Sequence, residues 1–428
     1  MKISLINIKI FFNIIIVSFV LFFYLYSILF KSLPVGVDKI IFISLFFLIV
    51  PFNVQKFYIF MKENSVLYKY FIYLLFLFAY NGLVFSVNLS NDTSLLYSLF
   101  LRLTVFYFPI VIILYYIYMK FDSDKFLTVV FNFLVVVISV QSLLGLYSFV
   151  NIDFKIWVDS LLPYTGNINE TRIERIRGFT NTSGASLSIV QGIGAYIAFL
   201  LLNESKSFFI QFFYTILMLI NILALLFIGR TGLVLFVFSG TLLILSSLSF
   251  KTIKNLFYLL IGLVFLTIFI SKISFLLNEQ YSYLFYNTIL PWALELFTNI
   301  YDSGSVSTGS NQELWNMIHF PDNFSTLLYG DGIFERPYTL SDSGYVRYVY
   351  AMGIFGVFFL LSSIIYPVVK IQKYKKINPL RYKWLIILVI FIIFIDIKEP
   401  FLLKPQVYPI LLLILFSYVI EFNLKKKV

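Results

Sequence analysis

Three arginines, Arg172, Arg175 and Arg177, lie close together between two long apolar segments of the chain. The arginine side chain carries a permanent charge and a planar fork of donors that suits bidentate recognition of phosphate. Arg172 and Arg175 are three residues apart, so a helical turn would place them on one face. The segment predicts a site for a lipid-linked phosphate or pyrophosphate. The alternative is a solvated loop in which Glu170 and Glu174 form local ion pairs with the arginines.

Small polar residues follow in the run Thr180-Asn-Thr-Ser-Gly184. At the start of a helix such residues can cap it and direct backbone N–H groups at an anion. A fourth arginine, Arg230, lies in the tight turn Gly229-Arg-Thr-Gly232 between two apolar segments. It either extends among lipid headgroups or joins the other arginines around one pyrophosphate, with Thr231 as a hydroxyl donor or an N-cap.

A second group of polar side chains precedes a late apolar segment that begins near Gly344. Ser341 or Asp342 is predicted to be the N-cap of that helix, a role that needs no chemistry. Arg347 lies one turn into the helix, where an unpaired charge is costly and usually functional, and a direct pair with Asp342 is one possibility. His319, the one histidine of the chain, is more typical of a structural than a catalytic residue. The spacing of the acidic residues fits no specific metal motif.

The composition places these residues in a membrane protein. Hydrophobic residues make up 60% of the chain and charged residues 12%, against about 25% charged in soluble domains. Apolar stretches of about 20 residues, the length of a membrane-spanning helix, recur from end to end, and alternating barrel strands do not. We therefore expect an all-α polytopic integral membrane protein, with residues 1–428 as a single membrane domain. With no cysteine and one histidine, disulfides and Cys/His metal sites are excluded.

Twelve membrane spans are predicted, and their approximate bounds are 10–30, 38–53, 67–87, 96–119, 126–150, 184–203, 208–228, 231–250, 255–277, 343–366, 382–397 and 405–422. With both termini cytoplasmic, nineteen lysines and arginines fall on the cytoplasmic side and ten outside, as the positive-inside rule favours. Arg102, Lys272 and Arg347 lie in or at the edge of spans. The net charge of +11 is explained by these flanking lysines, and no basic domain exists to bind nucleic acid.

Two predicted outer loops, residues 151–183 and 278–342, are long enough to form an active-site face, and they contain the arginine segment and the Ser341–Asp342 segment. The acidic and basic residues near the end of the eleventh span, Asp396, Lys398 and Glu399, are assigned no function. Gly353 and Gly356, further along the late apolar segment, are predicted to be helix-packing positions.

Taken in order, these motifs resemble the Wzy family of O-antigen and capsular polysaccharide polymerases, within the O-antigen ligase superfamily. The resemblance is carried by Arg172 to Gly178 with the following Thr-Asn-Thr-Ser-Gly, by Gly229-Arg-Thr-Gly, and by Gly330-Asp-Gly with the later Ser341-Asp-Ser-Gly-Tyr. The twelve-span layout with one large late outer loop extends the likeness over the whole chain. The resemblance implies a GT-C-like membrane fold.

Family membership would imply that a growing glycan passes from undecaprenyl pyrophosphate to another lipid-linked repeat unit on the outer face of a bacterial inner membrane. The reaction would need no metal and no cofactor. The implied partners are the undecaprenyl-pyrophosphate-linked oligosaccharide, membrane lipids and a chain-length regulator. The arginines would stabilise the departing pyrophosphate, and the acceptor hydroxyl would need a general base.

The resemblance then assigns roles to particular residues. The catalytic residues would be Asp342, Arg177 and Arg230, and the substrate-binding residues would be Arg172, Arg175, Arg347, Thr231, Ser341, Tyr345, Glu335 and His319. The base is left open between Asp342, Glu335 and His319, with Asp342 preferred.

Two alternatives to the polymerase are carried forward. Ligases of the superfamily have a histidine near the position of Asp342 and an arginine four residues before a tryptophan, where this chain has Asn311 before Trp315. These departures favour a polymerase over an O-antigen ligase that transfers glycan to lipid A-core. A flippase for lipid-linked glycans is the other alternative, disfavoured because most spans contain no charge.

Overall fold

The structure is a computed structural model that describes residues 5–121, 125–163, 176–181, 184–246, 272, 282–283, 285–304, 309–335 and 339–427. It is all-helical, with 82% helix and no strand in that part of the chain. The continuous Phe/Ile/Leu/Val runs of the sequence account for this, because in a membrane each helix satisfies its own backbone groups.

The α-helices, numbered in chain order, are α1 (Leu5–Leu25), α2 (Val37–Ile49), α3 (Val54–Glu63), α4 (Ser65–Val87), α5 (Ser94–Leu101), α6 (Phe108–Lys120), α7 (Phe126–Val150), α8 (Ile152–Leu161), α9 (Ala185–Glu204), α10 (Phe208–Ile228), α11 (Arg230–Ser246), α12 (Leu290–Ser303), α13 (Gly309–Asn316), α14 (Phe324–Tyr329), α15 (Gly344–Lys370), α16 (Pro379–Ile395) and α17 (Val407–Lys427). A π-helical turn, Arg102–Tyr107, joins α5 to α6, and another, Phe285–Ile289, precedes α12.

Eight helical segments of the described chain are long and apolar enough to cross a membrane. They are Val37–Glu63, Ser65–Val87, Ser94–Lys120, Phe126–Val150, Ala185–Glu204, Phe208–Ile228, Gly344–Lys370 and Val407–Lys426. Two shorter apolar helices are Ile10–Leu25 and Arg230–Ser246. The predicted polytopic helical architecture is therefore confirmed at this level. The ninth predicted span, 255–277, lies outside the described residues except for Lys272.

The chain divides into two compact units. Unit 1 comprises Met1–Ile41 and Thr128–Val306, and unit 2 comprises Phe42–Leu127 and Ser307–Val428.

In unit 1, helix α9 packs against both α10 and α11 and is almost entirely buried. Gly192 permits the close approach of α11, since a Cβ there would lie 2.5 Å from the carbonyl oxygen of Gly232. Buried amides also join the helices: the Ser142 hydroxyl on α7 lies 2.9 Å from Gln191 Oε1 and 2.7 Å from Asn221 Oδ1. Small residues and interhelical hydrogen bonds of this kind hold helices together where water is excluded.

In unit 2, helix α15 packs along α4 and α14, around a core that includes Leu77, Leu99, Tyr348 and Met352. α15 is kinked at Gly353, whose backbone has φ +61° and ψ −179°.

Contacts within unit 2 define two opposite ends of its helices. At one end, Asn423 near the end of α17 donates to the carbonyl of Glu63, and Glu421 accepts from the backbone N–H of Leu127. At the other end, the loop after α4 contacts residues 330–335, and the Gly344 N–H donates to the carbonyl of Asp396 at 3.0 Å.

Candidate functional site

Arg177 is held in unit 1 by a carboxylate and by helix α7. Its Nε donates to Asp159 Oδ1 at 3.1 Å, and its Nη2 forms an ion pair with the same oxygen. Gln141 donates to the Arg177 carbonyl at 2.8 Å and accepts from the N–H of Phe179 at 3.2 Å. Between these two bonds, Gly178 has φ +57°, a conformation that favours glycine. The position of Arg177 is thus set by the backbone on both sides of Gly178.

Lys155 on α8 adds a second cation to this group. Burial lowers the pKa of Lys155, the nearby Asp159 opposes that shift, and the charge of Arg177 adds to it. Lys155 and Arg177 are therefore two cations within electrostatic range of the same carboxylate. Asp159 provides a local ion pair of the kind that the sequence leaves open as the alternative, although the predicted partners Glu170 and Glu174 lie outside the described residues.

Thr180 and Asn181, two of the polar residues after Gly178, bind the segment that follows α1. The N-cap of α9 is Gly184, a residue that has no side chain with which to cap the helix. The Thr180 hydroxyl donates to the carbonyl of Tyr26 at 3.2 Å, while Asn181 exchanges two hydrogen bonds with the backbone of Leu29 at 2.9 and 3.0 Å. The prediction that this run caps α9 is therefore wrong for Thr180 and Asn181, because their side chains satisfy the backbone that follows α1.

Arg230 begins α11, directly after the Gly229 that ends α10. Its Nη1 forms an ion pair with Glu295 on α12, and its guanidinium carbon lies 4.9 Å above the ring of Trp292. Thr231 is the next residue of the helix. The tight turn is possible because Gly232 lies against α9, where a Cβ would clash with the carbonyl of Ser188. Arg172 and Arg175 lie outside the described residues.

Arg347, in unit 2, is directed to the segment before α15. Its Nε donates to the carbonyl of Phe334 at 2.7 Å, and its guanidinium carbon lies 4.3 Å above the Phe334 ring. Three carboxylates, those of Asp342, Asp92 and Glu399, lie within electrostatic range. The half-buried charge of Arg347 is thus compensated by the Phe334 carbonyl and by several nearby carboxylates, of which Asp342 is one.

The start of α15 differs from the sequence prediction. Its N-cap is Ser343, without a side-chain cap, and the Ser341 hydroxyl accepts from the Ser343 N–H at 3.1 Å. The prediction of Ser341 or Asp342 as the N-cap is therefore wrong by one or two residues. Tyr345 donates to the carbonyl of Ile393 at 2.7 Å, so α16 fixes its side chain.

Glu335 and His319, the other two candidate bases, lie in different surroundings. The backbone N–H of Glu335 donates to Asp92, while its side chain is exposed. His319 is exposed, with its ring centroid 6.0 Å from that of Tyr350. In unit 2, Arg347 therefore binds the backbone of the residue next to Glu335, whereas His319 lies at the surface.

Asp92 joins two loops of unit 2 through its hydrogen bonds, a role that the sequence did not indicate. Its Oδ2 accepts from the N–H groups of Phe334 and Glu335, both at 2.6 Å, and its Oδ1 accepts from the backbone and hydroxyl of Ser94. Burial alone would raise the pKa of Asp92, but the hydrogen bonds from Ser94, Glu335 and Phe334 outweigh it and lower the pKa below its ordinary value. The sequence signal, an Asp two residues before an apolar helix, is the signal of an ordinary helix start.

A second missed group lies inside unit 2. Arg102, in the π-helical turn, is 0% exposed, and none of its guanidinium nitrogens donates to a protein group within the described chain. Its guanidinium carbon lies 4.2 Å above the ring of Tyr408, and Asp396 is within electrostatic range. Asp396 is also fully buried and accepts from Tyr348 at 2.8 Å and from the Leu402 N–H at 2.9 Å. Asp396, to which the sequence assigned no role, is thus the carboxylate near this buried arginine.

The described site residues fall into two groups. Arg177, Arg230 and Thr231 belong to unit 1; the residues of unit 2 are His319, Glu335, Ser341, Asp342, Tyr345 and Arg347. The sequence matches no protein-family model, and no curated protein is significantly similar to it.

Proposed function

We propose that this chain is a Wzy-type polymerase that joins undecaprenyl-pyrophosphate-linked oligosaccharide repeat units into O-antigen or capsular polysaccharide. It would be an inner-membrane protein of a bacterium with twelve spans, a GT-C-like fold, both termini in the cytoplasm and its active-site face outside. A chain-length regulator would be its protein partner.

The environment of Arg230 is the observation on which the proposal chiefly depends. A guanidinium has five N–H donors, and within the described chain Arg230 uses Nη1 for a single carboxylate, Glu295. The Trp292 ring lies against the guanidinium group of Arg230, and the turn that contains Gly229 and Gly232 holds its backbone close to α9. Donors therefore remain for a phosphate at the end of two apolar helices, where a lipid pyrophosphate would be presented. Lysine would supply the charge without the fork.

The two ends of unit 2 support the proposed orientation. The end where α3 and α17 meet is flanked by lysines, including Lys62, Lys370 and Lys425, as expected of a cytoplasmic face. The opposite end gathers three loops that the sequence predicts to be outside, which follow α4, precede α15 and follow α16. Polar candidates such as Asp342 belong to that end.

The proposed reaction is a glycosyl transfer. The acceptor hydroxyl oxygen bonds to the anomeric carbon of the donor glycan while the bond from that carbon to the pyrophosphate oxygen breaks. The bonding electron pair leaves with undecaprenyl pyrophosphate, and a carboxylate, for which Asp342 is the candidate, takes the hydroxyl proton. Arg177 and Arg230 would stabilise the charge that develops on the leaving group.

The test is to incubate the purified protein with one defined lipid-linked repeat unit and to resolve the products by size. We expect a ladder of glycans on lipid. The Arg230→Ala variant should form it at least about 100-fold more slowly, the effect of removing one donor that stabilises transition-state charge. Arg230→Lys should recover only part of the rate.

Glu295→Gln is the matched control for Arg230→Ala. It breaks the same ion pair while leaving the arginine in place, so a ligand role for Arg230 predicts that this variant still forms the ladder. Equal loss in both variants would mean that the ion pair is structural and that Arg230 does not bind the donor. Absence of any ladder with the wild-type protein would refute the polymerase.

A lipid-linked glycan transporter is retained as a second candidate because of one observation. Arg102 lies fully buried inside a predicted span with Asp396 in electrostatic range, and intramembrane charges of this kind are typical of transport pathways. A transporter would move the lipid-linked unit across proteoliposomes without forming the ladder.

A further inference from the structure

Unit 2 contains a cavity of about 480 Å³ beside the loop that follows α4. This volume is within the range of small-ligand pockets. The residues that line it are Asn88, Leu89, Ser90, Asn91, Asp92, Asp331 and Ile333. The side chains of Asn88, Ser90 and Asp92 bind the opposite wall, and the remaining side chains are left for a ligand.

Hydrogen bonds join the two walls of the cavity. Asp92 accepts from the N–H groups of Phe334 and Glu335, and the Ser90 hydroxyl donates to the carbonyl of Gly332 at 3.0 Å. The Asn88 amide donates to the carbonyl of Gly330 at 3.1 Å. The cavity therefore has fixed walls built from two chain segments, and it is not a gap between independent loops.

The kink of α15 anchors the second wall. At Gly353 the helical backbone is interrupted, and the carbonyls just before the kink accept from groups outside the helix. The N–H of Asp331 donates to the Tyr350 carbonyl at 2.7 Å, and the N–H of Gly332 donates to the Ala351 carbonyl at 3.1 Å. Asp331 is thus held at the cavity by its own backbone.

The cavity presents acceptors, an amide and apolar surface, and it presents no cation among the residues that line it. Thr326 donates to Asp331 Oδ1 at 2.8 Å, and within the described chain Asp331 Oδ2 accepts no hydrogen bond. The Asn91 amide is exposed and makes no hydrogen bond to the described residues. Leu89 and Ile333 supply carbon surface. A phosphate would therefore meet two carboxylates without a counter-charge from the walls.

We infer that this cavity binds an uncharged sugar ring, with Asp331 and Asn91 as its hydrogen-bonding residues. Vicinal hydroxyls donate to a carboxylate and exchange bonds with an amide, while the apolar edge of the ring lies on Leu89 and Ile333. The inference rests on the proposed function for the role of that sugar, which is the acceptor end of the second repeat unit. The arginines would bind the donor pyrophosphate, and this cavity would select a neutral over an acidic acceptor residue.

The test uses the purified full-length protein in nanodiscs and saturation-transfer NMR with free sugars. The probes are glucose, galactose and N-acetylglucosamine, with glucuronate as the acidic counterpart. We expect transfer to at least one neutral sugar, weaker transfer to glucuronate, and at least about tenfold weaker neutral-sugar binding in Asp331→Asn.

Asp322→Asn is the matched control, because Asp322 is an exposed carboxylate of the same unit that does not line the cavity. Asn91→Ala is the second variant, since its side chain supports no observed hydrogen bond and its loss should leave the fold intact. Equal binding by wild type, Asp331→Asn and Asn91→Ala would overturn the inference, as would transfer to no neutral sugar.

The glycan ladder separates this inference from the proposed function. A ladder from wild-type protein with Asp331→Asn and Asn91→Ala as active as wild type would refute the cavity as acceptor site and leave the polymerase standing. Sugar binding that depends on Asp331, without any ladder, would refute the polymerase and leave the sugar site.

Discussion

At the scale of single residues, Leu89 occupies a conformation that glycine usually takes. It follows the last turn of α4 with φ +48°, and the next N–H, of Ser90, returns to the Phe85 carbonyl at 3.2 Å. This is the Schellman geometry, in which the left-handed residue is commonly glycine. Its side chain is 84% exposed at the rim of the cavity, so packing does not explain why a leucine rather than a glycine occupies this position.

Leu89→Gly should therefore raise the free energy of unfolding by about 1 kcal/mol, the cost of a left-handed non-glycine residue. Thermal unfolding in detergent would measure the gain. Leu89→Ala keeps a Cβ and should bring no such gain, so equal stabilisation by both variants would contradict the strain argument. If Leu89 supports the sugar ring, the stabilised glycine variant should bind neutral sugar more weakly.

Asp92 makes stability depend on pH. Its pKa is lower in the folded protein than the usual value of about 3.9, so its stabilisation is present above about pH 4 and is lost as the pH falls through the folded pKa. Asp92→Asn should destabilise the protein by about 2 kcal/mol at neutral pH, because an amide replaces an acceptor that faces two N–H groups.

The measurement is the unfolding temperature of wild type and Asp92→Asn between about pH 3 and pH 7, a range that brackets the ordinary carboxyl pKa. The gap between the two proteins should shrink towards the acid end, because the wild-type carboxyl then also becomes neutral. A gap that stays constant over this range would show that the charge of Asp92 contributes nothing.

Arg102 and Asp396 should be energetically coupled. Both side chains are buried and lie within electrostatic range of each other, so removing one leaves the other less compensated, at a cost of up to about 3–5 kcal/mol. Arg102→Met and Asp396→Asn should each destabilise the protein, and the double variant should be less destabilised than their sum by at least about 1 kcal/mol. Chemical unfolding in detergent would measure the free energies of unfolding of the wild type, the two single variants and the double variant, which together form the double-mutant cycle. The pair Arg102→Met with Asp322→Asn is the additive control, and additivity in both cycles would exclude the coupling.

At the scale of elements, α15 is the helix on which the cavity depends. A Cβ on Gly353 would lie 2.2 Å from the carbonyl of Leu328 and would require φ +61°. Tyr80 also binds the Met352 carbonyl, at 3.1 Å. Gly353→Ala should therefore destabilise unit 2 by about 2 kcal/mol or more, through strain and the clash together.

Gly82→Ala is the matched control for Gly353→Ala. Gly82 is a helical glycine of α4, and a Cβ added there would have no neighbouring atom within 4 Å, so alanine should be neutral or stabilising by up to about 1 kcal/mol. Unfolding temperatures of the two variants give the comparison. Tolerance of alanine at both positions would mean that the kink can straighten without loss.

The sequence predicted the elements well and their interruptions poorly. Each predicted span outside 255–277 overlaps a described helix, because long apolar runs leave no other structure in a membrane, and eight helical segments of the described chain are long and apolar enough to cross one. For Gly353 the sequence indicates only a helix-packing position, whereas the structure has a kink there. The groups that pack against the kink, Leu328 on α14 and the backbone of residues 331–332, lie in a separate segment before α15. The break between α2 and α3 was not predicted either.

At the scale of the whole molecule, the absence of cysteine from the sequence allows a direct test of sidedness. Single cysteines at Trp157, Tyr301 and His319 should react with a membrane-impermeant maleimide in intact cells, because these exposed residues lie in predicted outer segments. Lys206→Cys and Lys373→Cys should react only after permeabilisation. Labelling of Trp157→Cys and Tyr301→Cys only after permeabilisation would reverse the orientation and remove the proposal of an outer active-site face.

The candidate site was predictable in part. Arginine between apolar segments indicated the residues, since charge at such places is costly and seldom accidental. Their partners were not predictable: Asp159 for Arg177 is eighteen positions away, and Glu295 for Arg230 is sixty-five away. Asp92 and Asp331 each resemble ordinary turn residues, and only the folded chain brings their loops together.

The backbone bonds between α15 and residues 331–332 limit how this protein could acquire a new specificity. The N–H groups of Asp331 and Gly332 bond to the successive carbonyls of Tyr350 and Ala351, so the gain or loss of one residue here would misalign both bonds. The side chains at positions 89 and 91, in contrast, can change without disturbing these backbone hydrogen bonds. Related chains that bind different ligands in this cavity should therefore keep the length of this loop and vary in those two side chains.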